Sequence, residues 1–131
     1  QAPNALLLVV SFTPGYENSL KGTRPSTLQR VVAMSFDFPP AAVEQQVVVA
    51  ETGIDSAMAQ RLVNLVNHFR QLKDHDLEEA ASTRLLVYAA SLIKSGFDPV
   101  AACKVALIEP LTDDAETASA LYEVVRASFG R

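Results

Sequence analysis

Apolar residues between positions 79 and 96 (EAASTRLLVYAASLIKSG) recur at spacings of three and four. Leu85, Leu86, Tyr88, Ala89, Leu92 and Ile93 build a wide stripe, the signature of an amphipathic helix. Ser82 is a suitable N-cap, because a hydroxyl there can satisfy a backbone N–H that the first turn leaves unpaired. Gly96 suits the position just past the end, where a left-handed conformation closes a helix. Arg84 falls in the first turn, where the helix dipole disfavours a cation. An arginine at a helix end that already attracts anions makes sense if a phosphate comes there.

The amino-terminal third follows another pattern. Residues 6–12 are apolar on both faces of an extended chain, as in a strand covered on two sides. Residues 31–38 (VVAMSFDF) are rich in strand formers and could pair with it. Between them Pro14-Gly15 predicts a turn, followed by a short helix around 25–30. After Pro39-Pro40 the period becomes helical. Helices are expected at about 41–52, stopped by Gly53, and at 56–73, capped by Asp55 with Leu62, Leu65, Val66 and Phe69 inward. The helix over 79–96 comes next. Asp98-Pro99 starts another that runs to about 109 and ends at Pro110. Thr112 or Asp113 caps the last, about 114–129, with Gly130 as its stop. Phe36, Phe38, Phe69, Tyr88, Phe97 and Tyr122 fall at core positions, and Tyr16 at an exposed one. The layout is two strands of a parallel-type sheet followed by a helical bundle, with the change at 39–41.

Composition narrows the classes. The 131 residues are 49% apolar and 20% charged, which suits a folded domain, and the net charge of −4 comes without a basic cluster. Nucleic acid and anionic membrane are therefore not expected as partners, and the candidate recognition helices carry too few cations for a helix-turn-helix DNA binder. The run 5–10 is too short to span a bilayer and lacks the basic flank of a signal peptide. With a single cysteine and no sign of an oxidising compartment, a cytoplasmic location is the default expectation. The chain opens on Gln1, with its first apolar strand only a few residues in, and both features suggest a piece of a longer polypeptide.

Other candidate chemistry is weaker than its plain alternative. Cys103 is the single cysteine and falls on an apolar helix face, so it reads as a small core residue. His68 and the Asp74-His75-Asp76 run offer no second ligand pair at zinc-like spacing. Asp113-Asp114 reads as a helix cap.

Three separated runs, VVSFTPGYENSLKGTRPSTLQRVVAMSFDFPP, LEEAASTRLLVYAASLI and AACKVALIEPLTDD, resemble the carboxy-terminal part of the CbbQ/NirQ/NorQ group of MoxR-type AAA+ ATPases. They occur in that order and span nearly the whole chain. The resemblance implies an α/β core remnant of about two strands over 1–40, carrying sensor 1 and the arginine-finger helix. An all-α helical lid with sensor 2 follows over 41–131. It places Thr13 at sensor 1, where Asn is commoner, Arg30 at the arginine finger with Arg24 as the alternative, and Arg84 at sensor 2. It also implies ATP and Mg2+ as cofactors of the longer parent and assembly as a ring hexamer. The implied partners are a protein with a von Willebrand factor A domain and a target enzyme to be remodelled, either Rubisco or nitric oxide reductase, with Rubisco activation the preferred target.

Each role has a physical reason. A polar group at the end of a strand can orient an attacking water; a planar guanidinium suits the charge spread over a transferring phosphoryl group; a lid arginine on a terminal phosphate couples nucleotide state to lid angle. No G-x-x-x-x-G-K-[ST] phosphate loop occurs in the chain, so it is not expected to hold or hydrolyse ATP alone. The competing class is a helical module that binds a partner without nucleotide.

Overall fold

The computed structural model describes residues 3–11, 22, 24–72 and 81–130. Thr13, Tyr16, His75 and the acidic residues of 74–79 lie outside them. Contacts divide the chain into two compact units, Gln1–Phe36 and Asp37–Arg131.

In the first unit the short helix α1, Pro25–Leu28, begins on a proline whose fixed φ suits a first helical residue. The two expected strands are not present: no strand forms among the described residues. Leu7 is 86% and Val32 90% exposed. A strand that is apolar on both faces exists only when neighbours satisfy its edges and layers cover its faces, and two such segments do not make a stable sheet of their own. The α/β part of the expected fold is thus corrected for this chain, whereas the helical part is observed.

The second unit is a helical bundle. It comprises α2 (Ala41–Thr52), α3 (Ser56–Gln71), α4 (Thr83–Lys94), α5 (Pro99–Cys103), a π-helical segment (Lys104–Ile108), α6 (Glu109–Leu111) and α7 (Ala115–Phe129). α4 packs against α2, α3, α5 and the π-helical segment, and α7 closes the bundle against α3, α5 and the same segment. Phe69, Leu62, Leu65, Leu86, Leu107 and Leu121 fill the core. Burial of each is worth about 1.5–3 kcal/mol. Of the aromatic residues assigned to the core, Phe69 is there, whereas Phe36, Phe38, Tyr88 and Phe97 are exposed.

Helix ends follow local chemistry closely. Asp55 accepts from the N–H groups of Ala57 and Met58, and Asp98 from that of Ala101. The last helix is capped by Asp114, one residue later than expected, and Thr112 instead accepts from the Asp114 N–H. α4 ends in a Schellman motif: Gly96, at φ 101°, donates to Ile93 O, and Phe97 donates to Leu92 O.

Pro110 does not stop its helix. It lies inside α6, directly after the π-helical segment, where the Glu109 N–H reaches back to Lys104 O. Proline removes one hydrogen bond and crowds the carbonyl four residues before it, and a widened turn there relieves that crowding.

Candidate functional site

Arg84 is the second residue of α4 and is exposed at the helix's amino-terminal end. Tyr88, Ser91 and Ser95 continue the same exposed face. Alongside it, Leu85, Tyr88, Leu92, Val105, Ala106 and Pro110 line an open, largely apolar groove of about 550 Å³. Ser82 occupies the N-cap position with extended backbone, but its side chain makes no capping hydrogen bond, contrary to the expectation from its type. The helix start is held from beneath instead.

That support is a buried charge network. Glu44, on α2, is fully buried, and Arg70, on α3, is nearly so. Both Glu44 carboxylate oxygens accept from Arg70, Oε2 from Nη1 at 2.9 Å and Oε1 from Nη2 at 2.8 Å. Glu44 Oε1 also accepts from the Thr83 hydroxyl at 2.7 Å. Arg70 Nε donates to Ala81 O at 2.9 Å, and Nη1 to Asn67 Oδ1 at 3.1 Å. The guanidinium lies 3.7 Å from the centroid of the Phe38 ring, in the segment that leads into α2. Burying two charges is costly, and a bidentate geometry with the remaining donors occupied is what offsets that cost.

Sequence reading missed this network, although a signal for it exists. Glu44 sits one turn before buried Val48, and Arg70 continues the inward row Ala59, Val63 and Val66 of α3. Opposite charges on the inner rows of two neighbouring helices point to a buried pair.

Arg30 is exposed in the turn after α1, its N–H donating to Thr27 O, and Arg24 is the exposed N-cap of that helix. Both belong to the first unit, whereas Arg84 belongs to the second. Cys103 is fully buried in the bundle core, and burial, with the nearby Asp98 charge adding to it, pushes its thiol up to about 12. Such a thiol is protonated and shielded at neutral pH, as a core residue is.

The chain therefore presents an arginine at the start of a helix that is tied to two neighbouring helices through the Ala81 carbonyl and the Thr83 hydroxyl, within a small all-α bundle. A protein-family model described as CbbQ/NirQ/NorQ C-terminal matches residues 44–128. The chain is 55% identical over 125 residues to the denitrification regulatory protein NirQ of Pseudomonas aeruginosa, a match that covers 95% of this chain and 48% of that protein. It is 49% identical to protein NorQ of Paracoccus denitrificans (99% of this chain, 48% of that protein) and 46% identical to protein CbbQ of Hydrogenophilus thermoluteolus (93% and 46%). The chain belongs to the CbbQ/NirQ/NorQ family and carries its C-terminal part; it spans about half the length of the curated relatives it matches.

Proposed function

We propose that this chain is the sensor and lid portion of a MoxR-type AAA+ motor that uses ATP hydrolysis to activate or mature a target enzyme. Family membership supports this reading, and one observation carries it to a residue: Arg84 stands exposed at the amino-terminal end of a helix held to its neighbours by one buried and one half-buried hydrogen bond. A cation so placed meets a terminal phosphate as a charge-assisted donor, next to a helix end that itself favours anions. The phosphate loop lies in the other half of the motor, which also holds the nucleotide and its magnesium ion. Arg84 then supplies a lid contact to the phosphate and ties the lid's position to the nucleotide state. Arg30 serves as the finger toward a neighbouring subunit of a hexameric ring, and Thr13 orients the attacking water.

A partner with a von Willebrand factor A domain delivers this motion to the target. The two NirQ relatives, at 55% and 52% identity, bear the words denitrification regulatory protein, whereas the CbbQ relative stands at 46%. That order favours a denitrification enzyme, nitric oxide reductase, over Rubisco as the target.

The test is Arg84→Ala in the full-length polypeptide. ATP turnover should fall at least tenfold while the melting temperature moves little, because the side chain is exposed. Retained turnover refutes the sensor 2 role, and absence of any nucleotide dependence in partner binding would favour the nucleotide-independent module instead.

A further inference from the structure

We infer that Thr83, with Glu44 and Arg70 behind it, is a positioning residue that sets the direction in which Arg84 points; this rests on the sensor reading of Arg84. The hydrogen bonds flank the helix start on both sides. Arg70 Nε holds the carbonyl of Ala81, one residue before the N-cap, and Glu44 Oε1 holds the hydroxyl of Thr83, one residue after it. Ser82 itself contributes no side-chain cap. The first turn of α4 is thus located by two bonds to a single buried ion pair rather than by its own capping.

The azimuth follows from helix geometry. Successive residues are rotated by about 100° around a helix, from 3.6 residues per turn. With Thr83 drawn inward to Glu44, Arg84 is turned outward to the exposed face, as observed. The ion pair that makes this bond is anchored on two further helices, since Glu44 belongs to α2 and Arg70 to α3. It also touches Phe38 in the segment leading into α2. A shift of α2 against α4 therefore bears directly on the residue beside Arg84. A bond 2.7 Å long to a buried carboxylate that is itself paired with a guanidinium is the kind that fixes geometry.

The experiment is a double-mutant cycle of ATP turnover in the full-length polypeptide, with Thr83→Val, Thr83→Ser, Arg84→Ala and the Thr83→Val/Arg84→Ala pair. Thr83→Val keeps shape and branching and removes the hydroxyl. It should lower kcat/KM for ATP on the order of tenfold, short of the roughly hundredfold effect of a 1 Å misplacement. Thr83→Ser should restore it to within about twofold, and in the Arg84→Ala background Thr83→Val should have no further effect. An equal loss in both backgrounds would show a purely structural Thr83 and overturn the inference, as would an unchanged kcat/KM in Thr83→Val alone. Unchanged turnover in Arg84→Ala is a different failure, because it removes the sensor reading itself. Melting curves accompany every variant, and Thr83→Ala takes the place of Thr83→Val in the same cycle if the valine variant melts below the assay temperature.

Discussion

Replacing Glu44 by alanine should destabilise the bundle more than almost any other single polar substitution in it. The carboxylate is fully buried and accepts two hydrogen bonds from Arg70 and one from Thr83. Alanine leaves the Arg70 guanidinium in place with Ala81 O and Asn67 Oδ1 as its remaining acceptors, too few for a charge whose side chain is 7% exposed. Removing one partner of such a pair costs about 3–5 kcal/mol. A domain of this size is stable by about 5–15 kcal/mol, so about a fifth or more of the total is at stake. Urea denaturation followed by far-UV circular dichroism should show the midpoint falling by about 2–3 M at an unchanged slope of about 1.5 kcal/mol/M. The double variant Glu44→Met/Arg70→Met removes the stranded charge and should recover at least about 2 kcal/mol of the loss, because an apolar pair of similar volume replaces the ion pair. A Glu44→Ala loss below about 1 kcal/mol, or a double variant as damaged as the sum of its single changes, would refute the account of a desolvated pair.

Three further outcomes follow from two single positions. Cys103 ionises at about 12 in the folded state against 9.0 as the ordinary value, because burial and then the Asp98 charge oppose the thiolate. Its contribution is fully present below pH 9 and is lost as the pH rises from there toward 12, so stability should decline across that window, and Cys103→Ala should flatten that decline. A disulfide reagent should likewise leave the native thiol unmodified at pH 8 and react only on unfolding; rapid native modification would contradict the burial. At Gly96, φ is 101° and a Cβ would meet no neighbour within 4 Å, so Gly96→Ala costs backbone strain alone, about 1–2 kcal/mol by thermal melting. A neutral or stabilising result would mean that α4 ends differently.

The helical bundle was largely legible because its signals are local. Asp55, Asp98 and Gly96 act through bonds to residues a few positions away, and the apolar stripes of α3 and α4 put Leu62, Phe69 and Leu86 in the core where the period places them. The strands were misread for the opposite reason. The runs 6–12 and 31–38 carry the composition of buried strands, but a strand is defined by its partners, and composition does not supply them. Pro110 was misread as a terminator because proline's effect depends on whether the turn before it can widen, which here it does over Lys104–Ile108. In the candidate site, Arg84 was legible as an oddity, a cation in a first turn. Ser82 was credited with a capping role that its side chain does not perform; Glu44 and Arg70 hold the Thr83 hydroxyl and the Ala81 carbonyl from other helices instead, and no local pattern reveals a hydrogen bond between residues 83 and 44.

Stability alone does not account for a charged pair, rather than leucines, in this part of the core. Apolar side chains would stabilise the junction of α2, α3 and α4 at least as well, since buried ion pairs are commonly neutral or worse for stability. Apolar packing, however, tolerates small sliding and rotation of helices, because its contacts are numerous and individually non-directional. A bidentate carboxylate–guanidinium pair with a hydroxyl and a backbone carbonyl attached is directional at every bond. On this hypothesis the pair gives up some stability for a defined orientation at the first turn of α4, and the Glu44→Met/Arg70→Met variant, if as stable as the native chain, would bear out the first half of it. On the proposed sensor reading, a lid that presents Arg84 to a phosphate needs that orientation more than it needs additional stability.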